Sequence, residues 1–238
     1  MIVDIIISTR NRLAITRRMI ECLVERTHTP YRLHVMDDAS DDRTAEYLLG
    51  LDEQGRLASL TLRTESVSVP ANWNQAAVTG TSPILVFTDD DILCPQLDPD
   101  WLSRGLHVMA EYPNIGMLSL HEPSGDRASV YKNKRVLGPV TVCHRVGGHL
   151  AFVRRAAMQR VVIPERFGEL LYGIMLVPGY QTIDLLWSRG IQAQGYDVGF
   201  LTGVYCQHIG LISVRNGQDL SSRAIEQDPE TLEPRWTS

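Results

Sequence analysis

The stretch Ser82-Pro83-Ile84-Leu85-Val86-Phe87-Thr88-Asp89-Asp90-Asp91-Ile92-Leu93-Cys94-Pro95 decides how the rest of the chain is read. Its apolar run, Ile84 to Phe87, is short and rich in β-branched and aromatic residues, the pattern of a strand buried on both faces. The run stops in three consecutive carboxylates. Adjacent carboxylates repel one another and each resists losing water, so the cluster needs either open solvent or a cation. Two readings stand side by side: a solvated acidic turn, or a seat for magnesium or manganese, hard ions that take oxygen ligands. Position favours the second, because ligands of open α/β sheets sit outside the carboxyl ends of the strands.

Upstream, the same alternation repeats. Ile2 to Ile7 reads as a buried first strand that runs into the polar loop Ser8-Thr9-Arg10-Asn11-Arg12. Leu13 to Arg26 carries Leu13, Met19, Ile20, Leu23 and Val24 at helical spacing, and His28-Thr29-Pro30 stops that helix. Tyr31 to Met36 is a second strand, ending in Asp37-Asp38-Ala39-Ser40-Asp41-Asp42. Thr44 to Leu51 follows as a helix, Leu57 to Arg63 as a strand, and Pro70 to Val78 as a helix with proline near its first turn. Four strand–helix alternations predict an α/β fold with a mostly parallel twisted sheet and right-handed crossovers. No glycine-rich turn follows the first strand, which counts against a dinucleotide fingerprint and against a P-loop.

Downstream the pattern loosens. Asp98 to Glu111 reads as a helix and Ile115 to Leu120 as a strand. His121 to Val146 is long and polar, and loops of that length are usually functional or mobile. Its Lys132, Lys134 and Arg135 form a basic cluster, either solvated or touching an anionic ligand. Gly147-Gly148-His149 leads into a strand over Leu150 to Val153, then a helix over Arg154 to Val161. Phe167 to Pro178 reads as a loop over a site. Gly179 to Arg189 reads as a helix carrying Asp184. Tyr196 to Leu201 and Val204 to Cys206 read as short strands, with His208 after them. Ser213 to Ser238 is polar and reads as a loosely held tail.

Bulk properties narrow the class. With 44% apolar and 21% charged residues the composition is that of a globular protein. Net charge is -5 and no long basic run exists, so no nucleic-acid footprint is expected. No apolar stretch approaches a membrane span, and the first residues carry no signal-peptide pattern. Cys22, Cys94, Cys143 and Cys206 are scattered without metal-ligand spacing. Reduced thiols and a cytoplasmic location, possibly peripheral to a membrane, are expected.

Four ordered motifs resemble the nucleotide-sugar-dependent glycosyltransferases of the GT-A fold, specifically the inverting family 2. Ile5-Ile6-Ile7-Ser8-Thr9-Arg10-Asn11-Arg12 is similar to the family's opening strand and Pro-Thr-Tyr-Asn-Arg loop. Val35-Met36-Asp37-Asp38-Ala39-Ser40-Asp41-Asp42-Arg43-Thr44 is similar to its Val-Asp-Asp-Gly-Ser-x-Asp-x-Thr element. Ala71-Asn72-Trp73-Asn74-Gln75-Ala76 resembles its Ala-Arg-Asn-x-Gly helix start, and Asp89-Asp90-Asp91 stands where its Asp-x-Asp motif stands. The resemblance covers roughly Ile2 to Gly210. It implies one GT-A domain over residues 1–212, with a nucleotide-sugar-binding half (1–95), a smaller acceptor-side half (96–212), and the tail from 213 to 238.

The same resemblance implies site roles. Ser8, Thr9, Arg10, Asp38, Asn74, Asp89 and Asp90 would contact the donor, Asp38 through the N–H of a uracil or guanine. Asp89, Asp91 and His208 would hold Mn2+ or Mg2+, with the register among the three acids left open. Asp184 would be the general base; Gly195-Tyr196 follows at the family's spacing, but Ile183 replaces the usual Glu before it. Burial among Ile183, Leu185, Leu186 and Trp187 raises a carboxyl's pKa, which suits a base; an exposed helix-face Asp is the other reading. Gly148, His149 and Trp187 would lie on the acceptor side, or belong to the core. The implied partners are a UDP- or GDP-linked sugar and a glycan, lipid-linked or small-molecule acceptor. A sugar-1-phosphate nucleotidyltransferase and a non-catalytic sugar-nucleotide-binding subunit remain as rivals.

Overall fold

A computed structural model describes residues 2–67, 69–120, 135–158, 161 and 183–209. Lys132, Lys134, the Phe167–Pro178 loop and the tail lie outside the described residues. In chain order the elements are β1 (Val3–Thr9), α1 (Leu13–Arg26), β2 (Tyr31–Asp37), α2 (Thr44–Glu53), β3 (Ser59–Leu62), α3 (Val69–Val78) and β4 (Ile84–Asp89). There follow β5 (Ile92–Leu93), α4 (Trp101–Glu111), β6 (Ile115–Ser119), β7 (Arg135–Leu137) and β8 (Val140–Cys143). The last are β9 (Ala151–Arg154), α5 (Arg155–Met158), α6 (Ile183–Ala193), β10 (Asp197–Leu201) and β11 (Gln207–His208).

Nine strands form one sheet in the order β3-β2-β1-β4-β9-β6-β10-β8-β7. β1 pairs in parallel with β2 and β4, β2 with β3, and β6 with β10. The expected parallel sheet is therefore present, but it is interrupted. β9 runs antiparallel between β4 and β6, and β7–β8 adds an antiparallel hairpin beyond β10. That hairpin overturns the reading of the whole span from His121 to Val146 as loop. Its apolar alternation, Val140 and Val142 inward, is too short to stand out from the polar residues around it.

The sheet divides the core in two. Ile5 and Ile7 of β1, with Ile84 and Val86 of β4, face a core shared with Met19, Leu23, Leu48 and Trp101 from α1, α2 and α4. Ile6, Leu85 and Phe87 point the other way, toward Trp73, Ala76, Trp187 and Ile191 from α3 and α6. Period-two alternation with both faces apolar is why these strands read as continuous hydrophobic runs. α6 continues past the expected end at Arg189 because Ile191 is fully buried, and that burial outweighs the helix cost of Gly190.

Two elements correct the sequence reading next to the acids. Val204 to Cys206 is not a strand. Instead Gln207 and His208 form β11, antiparallel to β5, with His208 opposite Ile92. Ile209 N–H also donates to the Asp91 carbonyl at 2.9 Å. A two-residue strand has almost no sequence signal of its own; this one exists because it satisfies the backbone of β5.

The opposite pole of the sheet is held by a buried charge. Asp4, fully buried, accepts from Arg32 Nε at 2.7 Å and from the backbone N–H groups of Thr81 and Ser82, both at 2.7 Å. His34 Nε2 lies 3.0 Å from the same carboxylate. Burial pushes the Asp4 pKa up, but these hydrogen bonds outweigh it and hold the group far below the usual carboxylate range. Gly80 adopts φ 72°, and a Cβ there would collide with the Asp4 carboxylate. A folded-state pKa depressed in this way stabilises the protein above the unfolded value near 3.9 and loses that contribution as pH falls below it. Asp4→Ala is expected to cost about 3–5 kcal/mol in urea unfolding at pH 7, and the gap to wild type should narrow below about pH 4.

Candidate functional site

Parallel β1, β2 and β4 end side by side, so their carboxyl-end loops converge. Ser8 is opposite both Met36 and Asp89 in register. Among the described residues three other than glycine adopt left-handed backbone: Asn11 (φ 52°) after β1, Ala39 (φ 59°) after β2, and Leu150 (φ 46°) directly after His149. Such conformations are disfavoured for L-residues and persist where surrounding contacts impose them. Here the Asn11 amide oxygen accepts from Asp41 N–H at 2.8 Å, and Asp37 accepts from Ser40.

The three acids point in different directions. Asp90 turns under β1: its Oδ2 accepts from Thr9 Oγ1 at 2.6 Å and its Oδ1 from Arg12 Nη1 at 2.9 Å. Burial raises its pKa to about 6 despite Arg12. Asp91 is also buried. Its Oδ2 takes Arg12 Nη1 at 2.9 Å and faces His208 Nε2 at 3.1 Å. Its Oδ1 is buried and has no hydrogen-bond partner among the described residues. Burial pushes Asp91 up, but His208 and Arg12 more than reverse this, and its pKa lies below the usual value. Asp89 keeps 43% side-chain exposure and faces His149 Nδ1 at 3.7 Å. Desolvation, then the charges of Asp91, Asp184 and Asp90, push its pKa well up. Of the sequence-predicted donor contacts, Thr9 and Asp90 therefore face inward and satisfy each other. Their short polar side chains find partners beneath the loop, Thr16 Oγ1 included at 2.7 Å from Thr9.

The charge of Asp184 is one of those that push the Asp89 pKa up. Asp184 sits in the first turn of α6, half-buried. Desolvation raises its pKa to about 6, partly offset by Arg145. His149 and His208 lie with ring centroids 5.2 Å apart. Gly148 packs on the aromatic cluster below: a Cβ there would lie 2.7 Å from Trp73 Cη2. Trp187, left by the sequence between the acceptor side and the core, is fully buried in that cluster, edge-on to Trp73 at 4.4 Å. Its large apolar ring is worth more in the core than in water.

Asp38 directly follows β2, with its carboxylate 9% exposed. Ser66 Oγ donates to its Oδ2 and Val67 N–H to its Oδ1, both at 2.8 Å, and Arg10 Nη1 donates to Ser66 Oγ at 2.7 Å. Arg63 Nε lies 3.8 Å from Oδ1. Asn74 sits half-buried on α3. Sequence reasoning assigned no role to Arg12, Arg63 or Ser66. The one available signal was charge: an arginine-bearing loop facing three acids.

Among the described residues no three His, Cys, Asp or Glu side chains converge on a single metal-sized point. The chemistry nonetheless fits a divalent ion held by two. Ligands in adjacent octahedral positions about 2.1 Å from Mg2+ lie about 3 Å apart, and Asp91 Oδ2 and His208 Nε2 are 3.1 Å apart. Asp91 Oδ1 is a second oxygen for such an ion. Ions of this kind usually take one or two protein ligands and complete their shell with substrate phosphates and water.

Comparison with known proteins bears on this geometry. The model of glycosyl transferase family 2 matches residues 4–162. Among curated protein sequences, none matches the chain significantly. Among solved structures, the mannosyltransferase PcManGT from Pyrobaculum calidifontis, in complex with GDP-Man and Mn2+, superposes with a TM-score of 0.65 at 22% identity. That match covers 88% of this chain and 57% of that one. TarS from S. aureus (residues 1–349), in complex with UDP-GlcNAc, gives a TM-score of 0.65 at 16% identity, covering 93% and 61%. This chain thus spans about three-fifths of the length of those two structures, and the likeness is one of fold. No described helix is long and apolar enough to cross a membrane.

The left-handed Ala39 yields a test. Ala39→Gly removes the Cβ clash of that conformation, which costs about 1–2 kcal/mol in L-residues, against about 0.4–1 kcal/mol of added unfolded-chain entropy. A net stabilisation of roughly 0.5–1 kcal/mol is expected in chemical denaturation.

Proposed function

Because the chain belongs to glycosyl transferase family 2, we propose that it moves a sugar from a nucleotide-diphosphate donor to an acceptor hydroxyl with inversion, using Asp184 as general base. The observation that supports this reading best is the Asp91–His208 pair, 3.1 Å apart, with Asp184, a carboxylate raised to about 6, near enough for its charge to act on Asp89. Acids pushed apart in pKa by their surroundings are suited to different tasks. A base near neutrality accepts a proton efficiently, whereas a carboxylate held low stays charged for a cation.

In this reading Asp38 accepts from an N–H of the donor base, which takes the place of the Ser66 and Val67 donors. Ser8 and Arg10 line the nucleoside, and Asp89 faces the ribose side. Asp91 and His208 would hold Mn2+ or Mg2+, which supplies positive charge where the diphosphate collects it. PcManGT was solved with Mn2+ and a GDP-sugar, TarS with a UDP-sugar, and both support a nucleotide-sugar donor. Asp184 takes the proton of the acceptor hydroxyl as that oxygen bonds to the anomeric carbon. The bond from that carbon to the phosphate oxygen breaks on the opposite side, and its electron pair leaves with the diphosphate. The developing positive charge on the sugar resembles that of glycoside hydrolysis. Gly148 and His149, beside Asp89, border the space left for sugar and acceptor.

Thermal unfolding with UDP-, GDP- and dTDP-sugars plus Mn2+ identifies the donor: at 100 times its Kd a ligand adds about 2.7 kcal/mol. No shift with any of them would sink the nucleotide-sugar reading. Asp91→Ala should abolish transfer and weaken Mn2+-dependent donor binding, whereas Asp184→Asn should abolish transfer with donor binding retained. Wild-type kcat/KM should fall as pH drops through about 6 in the free enzyme, where Asp184 takes up its proton. The stability sign is the reverse of Asp4. A raised carboxyl pKa favours folding at low pH and loses that advantage as pH rises through about 6. Asp184→Asn should therefore unfold at a higher temperature than wild type at pH 8, and lose that lead by pH 4. Full turnover in Asp184→Asn would remove the base from this scheme.

A further inference from the structure

Arg12 reaches the acidic corner from an unusual place. It is the N-cap residue of α1, where its carbonyl accepts from Thr16 N–H at 2.8 Å and its side chain makes no capping bond. The first turn of α1 contains no acid. Helix N-termini prefer short oxygen-bearing caps and negative charge, so an arginine is poorly placed here by both criteria. What it gains lies across the cleft. Nη1 alone sits 2.9 Å from Asp90 Oδ1 and 2.9 Å from Asp91 Oδ2, with the side chain only 17% exposed. Asp90 is fixed from behind by Thr9 Oγ1 at 2.6 Å. Asp91 Oδ2 is shared with His208, and its Oδ1 has no hydrogen-bond partner among the described residues. One nitrogen therefore neutralises two buried acids and fixes which oxygen of Asp91 is left over.

We propose that Arg12 is a positioning residue, a built-in counter-cation that holds Asp91 with Oδ1 left for a divalent ion and keeps the acidic corner folded when that ion is away. The inference rests on the glycosyltransfer reading for the identity of the reaction, but not for the charge geometry. Without Arg12, Asp90 loses its ion pair and Asp91 keeps only His208 opposite its Oδ2. The fold is then weakened, and an added divalent ion becomes the substitute. Arginine is usually chosen for its fork, which lysine cannot copy. Here a single nitrogen makes both contacts, so an ammonium can take over much of the work.

The experiment compares wild type, Arg12→Met and Arg12→Lys by thermal unfolding in EDTA and in Mn2+ alone, with no donor present. The wild-type midpoint should differ by no more than about 2 °C between the two, because Arg12 already balances the acids. Arg12→Met should unfold about 6–15 °C lower in EDTA, as expected when one partner of a buried ion pair is removed from a chain of this size. Mn2+ alone should restore at least half of that loss. Arg12→Lys should recover most of it without metal. In transfer assays at saturating Mn2+, Arg12→Met should lose more than tenfold in kcat with donor KM changed less than threefold, and Arg12→Lys should recover most of kcat. If Arg12→Met will not fold in EDTA, refolding yields with and without Mn2+ replace the midpoints; rescue by Mn2+ supports the proposal and equal failure overturns it. An Arg12→Met midpoint that responds to Mn2+ no more than wild type overturns it, as does Arg12→Lys behaving like Arg12→Met. Absence of transfer in wild type as well would count against the reaction, while the donor-free midpoints still decide the role of Arg12.

Discussion

Repulsion among three carboxylates at the exit of β4 is the constraint that the surrounding structure answers. Adjacent acids in a desolvated corner cannot all remain charged unless each finds its own compensation. The chain separates them. Asp90 is drawn under β1 by Thr9 and Arg12, Asp91 is held between Arg12 and His208, and Asp89 stays part-exposed beside His149. Each partner comes from a different element: β1, the loop that starts α1, β11, and the turn before β9. The corner exists only because the sheet brings those elements to one pole.

That convergence follows from the two-sided core. β1 and β4 send alternate residues to opposite faces, and the helices on each face bury them fully. A strand fixed on both faces cannot slip by one residue without sending every side chain into the opposite core, where the packing does not fit it. Register is therefore firm, and Ser8 stays opposite Asp89. The aromatic cluster of Trp73, Phe87 and Trp187 extends the same rigidity upward, since Gly148 rests directly on the Trp73 ring. Polar geometry at the top of the sheet is thus set by apolar packing below it. At the far pole, buried Asp4 ties Arg32, His34 and the Thr81–Ser82 backbone together, fixing the turn that feeds β4.

Much of this was legible in the residues themselves. The first half has long apolar runs and clear helical periods, and α1 was read to the residue. The ordered motifs brought Asp38 and Asp91 forward, the resemblance they carry added Asp184 and His208, and the structure sets His208 3.1 Å from Asp91. What sequence could not show was direction. Three consecutive aspartates look alike on paper, and only the positions of Thr9, Arg12 and His208 distinguish them. Thr9, whose hydroxyl turns to Asp90, and Trp187, which takes the core alternative, show the same limit: a side chain beside a site can face into it or away from it. The β7–β8 hairpin and β5–β11 were missed because two- to four-residue strands are created by the partner they pair with, not by their own propensity.

The β5–β11 ladder has a consequence for how the molecule is made. β5 leaves the ribosome early, with the acids already in place, whereas β11 emerges only after every other described strand. Until then Asp91 has Arg12 beside it but no imidazole. A nascent chain can thus pair β1, β2 and β4 well before its acidic corner is finished, because the last short pairing closes that corner. A sheet with β10 out of place delivers β11 to the wrong spot and leaves the corner incomplete.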